Sequence, residues 1–330
     1  MARADLILSL VKASRQGDEA QVRKTVEALA ANERAKNHTI LADRLLAQLQ
    51  VENGRSANEV RKARPADFRM VLEKNPNRRI EELVLLPVVE ETIRELISEQ
   101  NRAGLLRSYN LEPRSRVLLA GPPGNGKTTL AEALADALNV TLMIVRYEAV
   151  IGSYLGETAQ RIAQVFEHAR SRHCVLFFDE FDSVGKERGD IHETGEIKRV
   201  VSSLLLQIDA LPSYVVVVAA SNHPELLDRA VWRRFQIRLE LGQPNQAQIE
   251  EWFRRFEHRT GRSFGIAPRE LARKLRGLSF AEVEDFGTDL LRKLVLDGSD
   301  ASPKETLHSR LRQLRMRFKE TNVPRTDLNA

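Results

Sequence analysis

An apolar run at residues 117–120 breaks off at Gly121-Pro122-Pro123-Gly124-Asn125-Gly126-Lys127-Thr128, and an amphipathic helical pattern begins at Lys127. A Gly-rich loop closed by Gly-Lys-Thr, set between a strand and a helix, restricts the possible folds more than any other feature of the chain. Glycines at these places let the backbone turn tightly and aim successive N–H groups at one point. The start of the helix adds the positive end of its dipole. A loop of this build cradles phosphate oxygens; Lys127 would supply a point charge to the outer phosphates and Thr128 a hydroxyl for Mg²⁺.

The rest of the chain supplies the sheet such a loop needs. Short runs rich in β-branched and aliphatic residues at 117–120, 141–145, 175–178, 215–220 and 237–241 alternate with helical patterns at 127–138, 158–172 and 196–209. Continuous apolar strands separated by helices predict a parallel five-stranded α/β sheet covered on both faces. After Pro244 only helical patterns follow, at 246–258, 268–275, 280–296 and 303–318, which predict a small helical lid. Before the sheet, Leu6, Leu10, Ala13, Val22, Val26, Leu29, Leu41, Leu45 and Leu49 fall at helical spacing. The expected organisation is a helical amino-terminal module at 1–50, a polar linker at 51–79, an α/β domain at 80–243 and a helical region at 244–330.

A second motif sits at the end of the third of these strands, where Val175-Leu176-Phe177-Phe178 runs into Asp179-Glu180. Two acids at the carboxyl edge of a parallel sheet lie where ligands bind in open α/β folds. Mg²⁺ takes few protein ligands, so Asp179 beside Thr128 suffices, and Glu180 would orient and deprotonate an attacking water. Taken alone, the pair could equally cap a helix.

These motifs, in this order, resemble those of the AAA family of ATPases over residues 80–296, roughly two-thirds of the chain. The segment Arg107-Ser108-Tyr109-Asn110-Leu111-Glu112-Pro113 is similar to the one that precedes the phosphate loop in that family. The resemblance implies a nucleotide site of Gly121, Pro122, Pro123, Gly124, Asn125, Gly126, Lys127, Thr128 and Thr129, with ATP and Mg²⁺ bound. It implies that Asn222, at the end of Ala219-Ala220-Ser221-Asn222, holds the lytic water or feels the γ-phosphate; alone it would read as a turn residue before Pro224. Arg233 and Arg234 resemble the arginine-finger pair of microtubule-severing and ESCRT-disassembling members, which reaches into a neighbouring subunit and implies a homo-oligomer, a hexamer by family habit. Tyr154-Leu155-Gly156 falls where the family carries a pore loop that grips polypeptide, although a lone loop Tyr can also lie buried. A second, polar loop at 189–196 is a further candidate for the pore.

The resemblance implies an ATP-driven ring that remodels, unfolds or threads a polypeptide substrate, and small bacterial rings of this look can serve a separate subtilisin-like serine protease. Two other readings stay open: action on nucleic acid as a loader or transposition helper, and a slow ATP-dependent switch. The net charge of +5 among 330 residues favours neither, because the basic excess sits on the two flanks, 1–64 and 301–330, around a slightly acidic middle. One departure stands out: Ser279-Phe280-Ala281-Glu282 occupies the lid turn where the family has Ser-Gly-Ala-Asp. The single cysteine, Cys174, opens an apolar strand and reads as a buried thiol. No apolar run approaches the roughly 20 residues that span a bilayer, and no secretory leader is legible, so a cytoplasmic protein is expected.

Overall fold

Seven consecutive buried positions, Val215–Ser221, form the middle of the molecule. The computed structural model describes residues 6, 9, 19–36, 42, 70–146, 155–182, 193–297 and 302–320. In chain order its strands are β1 (Val71–Lys74), β2 (Arg116–Ala120), β3 (Thr141–Val145), β4 (Cys174–Phe178), β5 (Val215–Ser221) and β6 (Ile237–Glu240). Its helices are α1 (Glu19–Ala35), α2 (Pro87–Asn101), α3 (Ala103–Ser108), α4 (Lys127–Ala137), α5 (Leu155–Arg170), α6 (Glu193–Asp209), α7 (Arg229–Arg234), α8 (Gln246–Thr260), α9 (Pro268–Lys274), α10 (Phe280–Leu296) and α11 (Pro303–Glu320).

The sheet order is β1-β3-β4-β5-β2-β6. All neighbours are parallel except β1, which pairs antiparallel with β3 in the register Val71 to Val145. The expected five-stranded parallel sheet is therefore six-stranded, and the extra edge strand comes from the stretch read as linker. Its residues carry little strand signal: Val71 is buried, but Leu72 is 54% exposed. Tertiary contacts hold it instead. Glu73 accepts from Arg172 at 3.1 Å and meets His168 at 2.8 Å, and Lys74 donates to Glu132 at 2.7 Å.

Alternation along the strands divides the core in two. Leu118, Leu176, Phe178 and Val217 face α5 and α6, where they meet Phe166, Leu204 and Ile208. Val117, Leu119, Phe177 and Val218 face α2 and α4, where they meet Ile93, Leu96, Leu130 and Leu134. A strand buried on both faces reads as an unbroken apolar run, which is why these strands were legible. The lid has its own core of Ile249, Phe253, Phe264, Leu275, Leu290 and Leu307. Among the described residues no helix is long and apolar enough to cross a membrane. Most of the expected amino-terminal helical module lies outside the described residues; within it, α1 is seen.

Candidate functional site

The carboxyl ends of β4, β5 and β2 lie side by side, and the three candidate segments leave from them. Gly121 leaves β2 with φ +139°, and a Cβ there would lie 2.3 Å from the Leu241 carbonyl oxygen, so no other residue fits. Gly124 and Gly126 follow at φ +77° and +83°, in the left-handed region where a side chain is strained. The loop then enters α4. Lys127 is buried, and its Nζ donates to the carbonyls of Gly121 at 2.7 Å and Pro122 at 3.0 Å. Burial pushes the ammonium below the ordinary lysine range, while Asp179 and Asp182 pull the other way.

The acids approach from β4. Thr128 Oγ1 donates to Asp179 Oδ2 at 3.1 Å, so a hydroxyl and a carboxylate, both hard oxygen donors, meet at the foot of the loop. Glu180 has φ +47°, unusual for a residue with a side chain, and its N–H donates to Asp179 Oδ1 at 3.0 Å. Asp182 accepts from the Asn222 N–H at 3.1 Å, tying the end of β5 to the segment after β4.

The lid closes the site from above. Ala281 N–H donates to the Gly124 carbonyl at 2.9 Å, and Phe280 N–H to Asn125 Oδ1 at 3.3 Å. Asn125 in turn donates to the Pro122 carbonyl at 3.3 Å. Ser279 and Glu282 form a capping box that starts α10 at this turn, so the Glu in place of the more usual acid serves its own helix. Arg255 donates to the carbonyls of Glu81 and Leu83 at 2.7 and 3.1 Å and straps the segment before α2 to the lid. The result is a cleft of about 380 Å³. Its lining is of two kinds. Gly124, Lys127, Thr128, Asp179, Glu180 and Asn222 are the polar set, and Leu83, Val84, Leu85, Trp252 and Phe280 the apolar one, with Arg78, Arg259 and Glu284 beside it. One set suits a polyphosphate and the other a flat heterocycle.

Residues 117–243 match the model of the ATPase family associated with various cellular activities (AAA). An uncharacterized AAA family ATPase of Sinorhizobium fredii is 35% identical over 305 residues, which is 90% of this chain and 91% of that protein. The chain belongs to the AAA family of ATPases. It is also 31% identical over 268 residues to the cell division cycle protein 48 homolog of Archaeoglobus fulgidus, and 43% over 145 residues to the peroxisomal ATPase pex6 of Schizosaccharomyces pombe. It spans 36% and 15% of those two proteins.

In this AAA ATPase the expected phosphate-loop residues Gly124, Asn125, Gly126, Lys127, Thr128 and Thr129 line one cleft with Pro123, Asp179, Glu180 and Asn222. Gly121 and Pro122 support them from below through the Lys127 contacts. Arg233 and Arg234 do not line it. They end α7; Arg233 is exposed, and Arg234 Nε donates to Asp209 Oδ2 at 2.6 Å. Tyr154 lies outside the described residues, as do residues 189–192 of the second candidate loop; Leu155 and Gly156 open α5. Sequence reasoning missed Leu83, Val84, Leu85 and Trp252. Trp252 falls on the apolar stripe of α8, where it cannot be told from a core residue by spacing.

Proposed function

We propose that this ATPase works as a ring of identical subunits that remodels or threads polypeptides, with each cleft completed by an arginine from the next copy. The observation that carries the reading is the split of the site. The cleft gathers Lys127, Thr128, Asp179, Glu180 and Asn222, while exposed Arg233 stands outside it on the same chain.

Lys127 would leave its loop carbonyls to pair with the β- and γ-phosphates. Thr128 and Asp179 would hold Mg²⁺, which would draw negative charge from the phosphate oxygens. Glu180 would take a proton from a water held by Asn222 as that water attacks the γ-phosphorus, giving ADP and inorganic phosphate. Arg233 of one copy would neutralise the charge that builds on the transferred phosphoryl group in the next, an effect worth about 10³–10⁵ in rate. Tyr154, Leu155 and Gly156 would grip the substrate. The similarity to a cell division cycle protein 48 homolog and a peroxisomal ATPase supports a protein substrate. Delivery to a separate serine protease is a finer form of the same reading.

Mixing tests it. Glu180→Gln has a sound arginine but no base; Arg233→Ala has a base but no finger. Each alone should be inactive, and co-refolded or subunit-exchanged mixtures should regain hydrolysis, because some clefts then pair an intact Glu180 with a neighbour's Arg233. Mixtures as inactive as their parents would overturn the shared site.

A further inference from the structure

We infer that Gly287 is a positioning residue for the nucleobase and acts through Trp252. The inference rests on reading the cleft as the nucleotide site and adds to it which packing fixes the place of the base.

Gly287 lies inside the 17-residue helix α10 and is buried there. Glycine in a helix interior is unfavourable, so its presence at a buried position asks for a steric reason. The reason is the indole of Trp252. A Cβ at Gly287 would lie 2.7 Å from Trp252 Cη2 and 2.8 Å from Cζ3, closer than real side chains approach. The atoms that would have to yield are the far edge of the ring. Phe256 stacks on the indole at 4.7 Å and Phe253 meets it edge-on at 4.9 Å. Both phenylalanines are buried, so they block retreat toward the lid core. The cleft, which Trp252 lines, is the side left for the ring to move into.

Trp252 is thus held between two phenylalanines and a missing side chain, and it presents a rigid aromatic surface to a cleft whose apolar lining includes Leu83, Val84 and Leu85. A slot with an indole on one wall and aliphatic groups among its other walls accepts a planar purine and offers the phosphates nothing. Adding a methyl group at 287 would push the indole into that slot. The loss should therefore fall on ligands that carry a base and spare those that do not.

Two probes separate the cases: ADP, and inorganic tripolyphosphate, which has the charge and no base. Binding of both is measured by calorimetry to the full chain, as wild type, Gly287→Ala, Trp252→Leu and the double variant. Gly287→Ala should weaken ADP about tenfold, the scale of one aromatic stack, and leave tripolyphosphate unchanged. Trp252→Leu should lose ADP affinity to a similar extent. In the Trp252→Leu background the alanine should cost nothing more, because leucine leaves the space free. In ATP hydrolysis the Gly287→Ala loss should appear in KM rather than kcat. If Gly287→Ala does not fold, the double variant should, with the ADP affinity of Trp252→Leu, because removing the indole relieves the clash; a double variant that also fails to fold would overturn the inference. Equal losses for both probes, unchanged ADP affinity in Gly287→Ala, or additive losses in the double variant would each overturn the inference. Wild type that binds neither probe would instead overturn the nucleotide reading itself.

Discussion

Arg234 donates from Nε to Asp209 Oδ2 at 2.6 Å, while the other carboxylate oxygen of Asp209 accepts from Arg116 at 3.0 Å. One acid at the end of α6 thus ties α7 to the start of β2. Adjacent arginines that look equivalent in sequence are placed differently: Arg234 is half-buried and paired, Arg233 exposed.

Their substitutions should separate accordingly. Arg233→Ala should lower kcat by about 10³ without moving the melting temperature, as expected of a group that acts only on a neighbour's phosphate. Arg234→Ala should also destabilise the fold, by about 1 kcal/mol, since the pair is partly exposed and its charge-assisted hydrogen bond is screened. Thermal and denaturant unfolding beside steady-state ATPase rates on the same samples check both. Equal melting temperatures for the two variants would show that the Asp209 contact contributes nothing.

The phosphate loop offers a second separation, between two glycines with different reasons to be glycine. At Gly121 a Cβ would collide with the backbone of Leu241, which β6 cannot withdraw without losing its pairing with β2. At Gly126 nothing lies within 4 Å of a Cβ, and only the φ of +83° opposes it. Gly121→Ala should therefore cost about 2–4 kcal/mol, combining overpacking and backbone strain, and Gly126→Ala about 1–2 kcal/mol from strain alone. Urea unfolding of the two variants measures the difference. A Gly126→Ala loss as large as that of Gly121→Ala would mean that contact plays no part.

What could be read from the residues follows from how local each cause is. The run Val175-Leu176-Phe177-Phe178 reads as a strand because burial on both faces leaves no polar alternation. Helix α10 reads correctly at both ends, 280 to 296, because its apolar period and its start after Ser279 are written within the segment itself. β1 was invisible because its pairing, its contacts with His168 and Arg172, and its bond to Glu132 all come from residues more than 50 positions away. Most of the polar half of the cleft was legible because its residues follow one another in two motifs, 121–128 and 175–180; Asn222 comes from a third segment and was legible only through the family resemblance. Most of the apolar half was not: Leu83 and Trp252 line one cleft only after the lid folds back, and Gly287 makes sense only beside Trp252.

Cys174 gives a probe of opening. The thiol is fully buried at the start of β4, and burial pushes its pKa up to about 12. The thiolate is the reactive form, so both exposure and ionisation oppose alkylation in the folded state. At neutral pH iodoacetamide should label the native protein only through opening of the β4 region, at a rate that rises with denaturant. Binding of ADP should slow it further by stabilising the folded form. Rapid labelling of the native protein without denaturant would contradict the burial of this strand.

Lys127 ties the chemistry to pH. Burial lowers its pKa from the ordinary 10.5, with Asp179 and Asp182 opposing the shift. Between the lowered and the ordinary value the unfolded chain keeps a proton that the folded chain has released. The contribution of this lysine to folding stability therefore rises with pH across that window. Phosphate binding runs the other way, because the ligand favours the ammonium. ADP affinity should fall as pH rises through the lowered pKa, starting at a lower pH than an ordinary lysine would give, and binding should take up a proton there. Calorimetry in two buffers of different ionisation enthalpy reads that uptake directly. Lys127→Arg, which stays charged throughout, should remove the alkaline limb even where its different shape weakens binding overall. An alkaline limb that persists unchanged in Lys127→Arg would assign the titration to another group.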